Sequence, residues 1–307
     1  MRTISLDSHT GLHGSHRNRF IAYTSDIMKL AFSTNAFKKY CLKEAIISIR
    51  NIGYMGVEIL CDIPHGYPPT FNDNQIQSVK ELLSKCNIQI SNLNAFTLYA
   101  IGDVYHPSWI EPSKGLREKR IKHTINCLHL ARRIGVKNIS TEPGGPVDVH
   151  CHYYNNKLHE PERFFIDGLS VVEKIAQECG IKILVEPEPG LLLENSQQFL
   201  AFIKDINSDS IGLNFDIGHF YCVREDPAKL IYELSDYIGH FHLADISINR
   251  IHNHLIPGKG AIDFKSVFRA IDKVGYKGFV TVELYPYQDN PIEAAEMAYK
   301  YLKDIIV

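Results

Sequence analysis

The sequence predicts an α/β fold, a single (β/α)8 TIM barrel. Three observations carry that expectation. Short apolar runs alternate with longer amphipathic runs eight times between Met28 and Val307. The amphipathic runs stop repeatedly at glycine, at Gly53, Gly135, Gly180 and Gly275. The last four apolar runs each end on a metal-type ligand: Glu186, Asp216, His242 and Glu283. These lie 30, 26 and 41 residues apart, about the length of a strand, a loop, a helix and a return loop. A doubly wound open sheet is the main competitor, but no G-x-G-x-x-G follows the first apolar run.

Each unit has its own signal. Met28–Ser33 reads as the first strand, and the amphipathic stretch Cys41–Ile52 as the first helix. Gly56–Leu60 is strand two, followed by a helix over Asn74–Cys86. Ile88–Asn94 is strand three, and a long helix spans about Lys114–Ile134. Asn138–Glu142 is strand four, with helix four over Glu162–Cys179. Strand five leads to Glu186, and Ser196 caps helix five. Strand six ends at Asp216, and Pro227 opens helix six, proline being suited to a first helical turn. Strand seven ends at His242, and helix seven covers Asp263–Val274. Strand eight ends at Glu283, and Pro291 opens the last helix.

A chain of 307 residues, 45% hydrophobic, is long enough to bury one large core. Lys plus Arg number 33 and Asp plus Glu 35, a net charge of -2, so the overall charge argues against a nucleic-acid partner. No apolar stretch approaches the roughly 20 residues of a membrane span. The seven cysteines stand singly, with no C-x-x-C pair, which points to reduced thiols and a cytoplasmic location. Residues 1–27 are different in kind: His9, His13, His16 and several arginines, few apolar residues and no period. They are read as a disordered extension, or as lying upstream of a true start at Met28, with the barrel occupying 28–307.

In a barrel all strand C-termini open on one mouth, where active sites sit. Glu186, Asp216, His242 and Glu283 therefore converge as candidate ligands for one divalent ion, Mn, Co, Mg or Zn. Asp216 and His219 form a D-x-x-H pair, and His219 can meet a second metal or a substrate oxygen. His240 and His242 face the same way on their strand; His240 is read as buried within the barrel. Asp245 either orients His242 or caps the following loop. His254, Arg250, Glu142 and Glu188 are the remaining candidates for substrate contact, His252 and Lys259 share the loop after strand seven, and Tyr105 and Trp109 are candidates to close the site.

The motifs VEPEPG, NFDIGH, HFHLAD, HLIPGKGAIDF and VTVELYP resemble the sugar phosphate isomerase/epimerase superfamily with the xylose-isomerase-like barrel. The resemblance covers roughly Met28 to Val307. That superfamily includes ketose 3-epimerases, hydroxypyruvate isomerase, inosose dehydratase and type IV apurinic endonucleases. By that resemblance Glu186, Asp216, His242 and Glu283 match the epimerases' metal ligands, and His219 a substrate-binding histidine. The endonucleases use further histidines where this chain has Asn94 and Glu142, and an Asp-x-His pair where it has His252-Asn253-His254. Those departures argue against a trinuclear zinc nuclease and leave a mononuclear or dinuclear site. Oligomers are frequent in the family, so a homo-oligomer is compatible with the resemblance.

The expected activity is a metal-dependent isomerase or epimerase of a small sugar-like hydroxy-carbonyl compound, with no membrane partner. A divalent ion makes the C–H beside a polarised carbonyl more acidic. One carboxylate removes that proton, and a second returns one to the enediolate from the other face. Glu186 and Glu283 are the pair assigned to these roles. The alternatives are a lyase of the inosose dehydratase type, which shares the first step, and a phosphodiester hydrolase of the apurinic endonuclease type.

Overall fold

The computed structural model of the chain describes residues 28–98, 103–147 and 160–306. The reading of residues 1–27 lies outside the described residues. Eight parallel strands close into a barrel in sequential order: β1 (Lys29–Ser33), β2 (Gly56–Leu60), β3 (Gln89–Asn94), β4 (Asn138–Thr141), β5 (Lys182–Val185), β6 (Ile211–Asp216), β7 (Ile238–Leu243) and β8 (Phe279–Val282). β8 pairs back onto β1 from Lys29–Phe279 to Phe32–Val282. Helices alternate with the strands: α1 (Leu42–Ile52), α2 (Asp73–Cys86), α3 (Lys114–Ile134), α4 (Glu160–Cys179), α5 (Ser196–Ile206), α6 (Ile217–Cys222), α7 (Pro227–Leu234), α8 (Phe264–Lys273) and α9 (Pro291–Leu302). The expected (β/α)8 barrel is the observed fold.

Local chemistry explains the boundaries. Asn72 caps α2 in a capping box with Gln75, and Asn87 closes it in the left-handed region. Asp226 caps α7 ahead of Pro227, and Asp263 caps α8 through Ser266. Gly53 and Gly135 end α1 and α3 at positive φ, where a β-carbon is strained. Two expectations shift. The cap of α5 is Asn195, whose side chain accepts from Gln198, and Ser196 is the first helical residue. The sequence reading also passed over the short α6, whose first turn follows β6 directly.

Apolar side chains from the strands' outer faces and the helices' inner stripes form one core, including Phe32, Val57, Ile59, Phe215, Phe241, Phe264 and Leu302. The barrel interior is different. Glu58, Asn92, Asn138, Asn214, His240 and His242 are all buried there, where a (β/α)8 barrel ordinarily stacks branched apolar residues. The parallel register slips twice, between Val57 and Glu58 on β2 and between Leu213 and Asn214 on β6.

Candidate active site

The four residues expected as ligands meet at the C-terminal mouth. Glu186, Asp216, His242 and Glu283 offer ligand atoms that all lie within 4.8 Å of one another, and all four are buried. Each comes from the end of a successive strand, β5 to β8. Asp216 is also the N-cap of α6: its Oδ1 accepts from the His219 backbone N–H at 2.7 Å. The capping bond fixes the carboxylate and leaves Oδ2 buried with no hydrogen-bond partner among the described residues. His242 Nδ1 lies 2.9 Å from Glu186 Oε1 and 3.6 Å from Glu283 Oε2. Glu186 Oε2 accepts from Asn214 Nδ2 at 2.6 Å, and Glu283 Oε1 from Asn35 Nδ2 at 2.8 Å.

Crowding of carboxylates sets the electrostatics. Burial, with the neighbouring Glu186, Glu58 and Asp216, outweighs the attraction of His242 and pushes Glu283 up to about 8. Burial lowers the proton affinity of His242, but Glu186, Glu58 and Glu283 overcome it and hold the imidazole well above its usual value. Burial likewise works to raise Asp216, yet His219, His254 and His242 bring it below the usual range. Three carboxylates and one imidazole, one carboxylate oxygen orphaned in the middle, form a donor set that fits a divalent cation.

A second cluster flanks the first. His219, His252 and His254 bring ring nitrogens within the same 4.8 Å. His252 Nε2 is 3.0 Å from His254 Nε2, which is 3.4 Å from His219 Nε2. The other nitrogens of two rings are occupied: His219 Nδ1 faces the Pro187 carbonyl and His254 Nδ1 the Glu283 carbonyl, each at 3.0 Å. Burial drives His254 down to about 4 and His252 to about 2. Burial works to lower His219 too, but Asp216, Glu188 and Glu186 overcome it and raise that ring above its usual value. With Nδ1 of His219 and His254 turned to carbonyls, the Nε2 atoms of the three rings face one another, an arrangement that suits a cation displacing the His219 proton.

The cleft above these clusters encloses about 570 Å3 open to solvent, lined among others by Lys38, Asn94, Tyr105, Glu142, Glu188 and Tyr285. Glu142 lies beside Glu188, and its Oε2 is buried with no hydrogen-bond partner among the described residues. Burial raises both, with the neighbouring carboxylates adding to Glu142. Tyr105 donates to Glu188 at 2.8 Å.

Most of the expected contacts are thus brought together: His219, Glu142, Glu188, His254 and Tyr105 all line the cleft. Arg250 is not among them. Its guanidinium stacks on Tyr221, 4.0 Å from the ring, donates to the Tyr221 carbonyl and lines a separate surface groove. Trp109 is buried against Phe165 and donates to Thr141. Asp245 caps the loop after β7, accepting four backbone N–H bonds from Ile246, Gly258, Gly260 and Ile262.

Three residues escaped the sequence reading. Asn35 and Lys38 follow β1, and Glu58 sits inside the barrel with Oε2 2.7 Å from His242 Nε2. Glu58 had a signal: it is the only charged residue in the apolar run Gly56–Leu60.

The chain belongs to the xylose isomerase-like TIM barrel family, whose model matches residues 47–305. It is 23% identical over 302 residues to an inosose dehydratase of Clostridium beijerinckii, covering 92% of this chain and 94% of that one. Its fold is similar to the crystal structure of a D-tagatose 3-epimerase-like protein, at TM-score 0.72 and 22% identity over 91% of this chain and 98% of the other. It is similarly close to an IOLI protein with a bound zinc atom, at TM-score 0.71 and 21% identity over 91% and 98%.

Proposed function

We propose that this chain is a divalent-metal-dependent isomerase or epimerase that moves a proton at the carbon beside a carbonyl of a small sugar-like substrate. The observation that carries the reading is the convergence of Glu186 and Glu283 with Asp216 and His242 at the floor of an open cleft. Those four would hold the ion, which supplies Lewis-acid polarisation of a carbonyl when bound. The zinc atom in the structure of the IOLI protein supports that assignment.

The chain's own groups do the rest. The Glu186 carboxylate is oriented by Asn214, and that of Glu283 by Asn35. One takes the proton at carbon, and the other returns one from the opposite face. Return to the same carbon inverts it; return to its neighbour interconverts aldose and ketose. His219 and Glu188 stand over this pair to hold substrate hydroxyls, with Tyr105 fixing Glu188. Among the described residues lining the cleft, Lys38 is the only lysine or arginine, against three carboxylates. That balance favours an uncharged, hydroxyl-rich substrate over a phosphate ester.

Three observations favour other outcomes. Burial and the neighbouring carboxylates raise Glu142 well above the usual carboxylate range, which supports a dehydratase, because an acid beside the substrate can protonate a leaving hydroxyl. The inosose dehydratase relatives support it too. The three-imidazole cluster supports a second ion, and two ions per chain would move the reading toward hydrolysis.

The test is incubation of metal-loaded protein with a panel of ketoses and inososes in D2O, followed by NMR. Deuterium at the carbon beside the carbonyl with a new epimer or isomer supports the leading reading. Deuterium with loss of water assigns a dehydratase. No exchange with any member of the panel counts against both.

A further inference from the structure

We propose that Glu58 is a positioning residue for His242: from inside the barrel its carboxylate takes the Nε2–H and leaves Nδ1 as the nitrogen that faces the ligand cluster. The inference rests on the metal-site reading above and extends it to a residue beneath the site. Glu58 lies midway along β2, is 0% exposed, and its Oε2 is 2.7 Å from His242 Nε2. The opposite ring nitrogen is the one 2.9 Å from Glu186 and 3.6 Å from Glu283. With Nε2 engaged below, only Nδ1 is free to serve a cation above.

The anchor is itself anchored. Glu58 Oε2 accepts from Asn92 Nδ2 at 2.8 Å. Asn92 in turn accepts from Asn138 at 2.7 Å and donates to Ser140 at 2.8 Å. Residues of β2, β3 and β4 thereby fix a histidine on β7 across the barrel. His240 does not compete, since its Nε2 is 3.8 Å from Glu58, beyond hydrogen-bond reach.

Two features show that stability alone does not account for this arrangement. A buried carboxylate is costly in a barrel core, and Glu58 Oε1 has no hydrogen-bond partner among the described residues. The two register slips of the sheet fall beside Glu58 and Asn214. These are the residues that touch His242 at Nε2 and at Nδ1, the latter at 3.2 Å. Slips of this kind re-aim side chains beside active sites. A carboxylate on the far nitrogen of a ligating histidine fixes its tautomer and raises its basicity. Losing such a partner typically weakens metal binding by about 10–100-fold.

The experiment uses full-length, untagged protein and zinc as the probe. Zinc affinity is measured by chelator competition for wild type, Glu58→Gln and Glu58→Leu, with melting of each metal-free protein recorded alongside. The expected result is a loss of about 10–100-fold in Glu58→Leu and a smaller loss in Glu58→Gln, whose amide oxygen still accepts the Nε2–H. A purely structural role would lower melting and leave the affinity of the folded protein unchanged. Long-range 15N NMR of zinc-loaded wild type needs no variant: it should show Nε2 of His242 protonated and Nδ1 metallated. Zinc on Nε2, or wild-type affinity in both variants, overturns the role of Glu58 while leaving the metal site standing. A wild-type chain that takes up no zinc overturns the metal-site reading itself, and this proposal with it.

Discussion

Metal uptake should release protons and weaken steeply as pH falls. To hold a cation, Glu283 must be ionised and His242 must give up its Nδ1 proton. Burial among carboxylates raises Glu283 to about 8, and His242 is raised as well, so in the metal-free chain at pH 7 both groups retain protons that an ion displaces. The sign follows: affinity increases with pH up to about 8 and falls below it. A group with pKa about 8 is roughly half ionised at pH 8 and roughly 1% ionised at pH 6, so Glu283 alone weakens binding about 50-fold over that interval. His242 acts in the same direction. Glu58, held down to about 2 by His242 against the effect of burial, stays ionised throughout and contributes no slope. Titration calorimetry with Zn2+ at pH 6, 7 and 8, in two buffers of different ionisation enthalpy, reads both affinity and proton count. Glu283→Gln should release about one proton fewer and show a shallower slope. A dissociation constant that is flat between pH 6 and 8, or binding without proton release, would refute this account of the cluster.

Three further outcomes are expected. Glu186→Gln should lower deuterium exchange into substrate by about 100- to 10,000-fold, the range for a lost general base, with melting within a few degrees of wild type; a variant keeping a tenth of the activity would remove Glu186 from proton transfer. Asp245→Ala strips four backbone N–H groups, two buried and two partly buried, of their acceptor and should cost about 3 kcal/mol in urea unfolding; a loss below about 1 kcal/mol would mean that the turn holds itself. Glu142→Gln should leave exchange beside the carbonyl within a few-fold of wild type in an epimerase; in a dehydratase, it should keep exchange while loss of water drops by at least about 100-fold, as removal of a general acid does.

The barrel was legible because its signals are local and repeated. Apolar runs, glycine stops and caps such as Asp226-Pro227 act within a few residues, and eight repeats of one unit outweigh uncertainty in any of them. Ligands at strand ends were legible for the same reason, since a carboxylate just past an apolar run marks a mouth position whatever the neighbouring unit does. Glu58 could have been caught, as a charge inside a parallel strand has few explanations other than function. What it touches could not, because its partner His242 is 184 residues away and meets it only through barrel closure. Arg250 was misplaced by similar logic. Its loop position put it near the mouth, but its positive φ and its stacking on Tyr221 turn it to another face. The split roles of Asp216, one oxygen capping α6 and the other unpartnered, also needed coordinates, because the short helix leaves no periodic trace in six residues.

The site divides its labour by depth. At the bottom, Glu58, Asn92 and Asn138 form a buried, hydrogen-bonded polar column that reaches His242. At the strand ends, Glu186, Asp216, His242 and Glu283 gather more negative charge than such a volume tolerates without protons or a cation. Above them, Glu142, Glu188, Tyr105 and the three histidines line the cleft where the proposed substrate would sit. On the proposed reading, epimerisation and dehydration would draw on the same lower two layers and part only at the third, where a proton retained on Glu142 either finds a leaving hydroxyl or does not. A barrel with a fixed floor and a changeable rim can therefore serve either reaction. On that reading, the side chains that choose between them come from the segments after β3 to β7, not from the four residues that make the site recognisable.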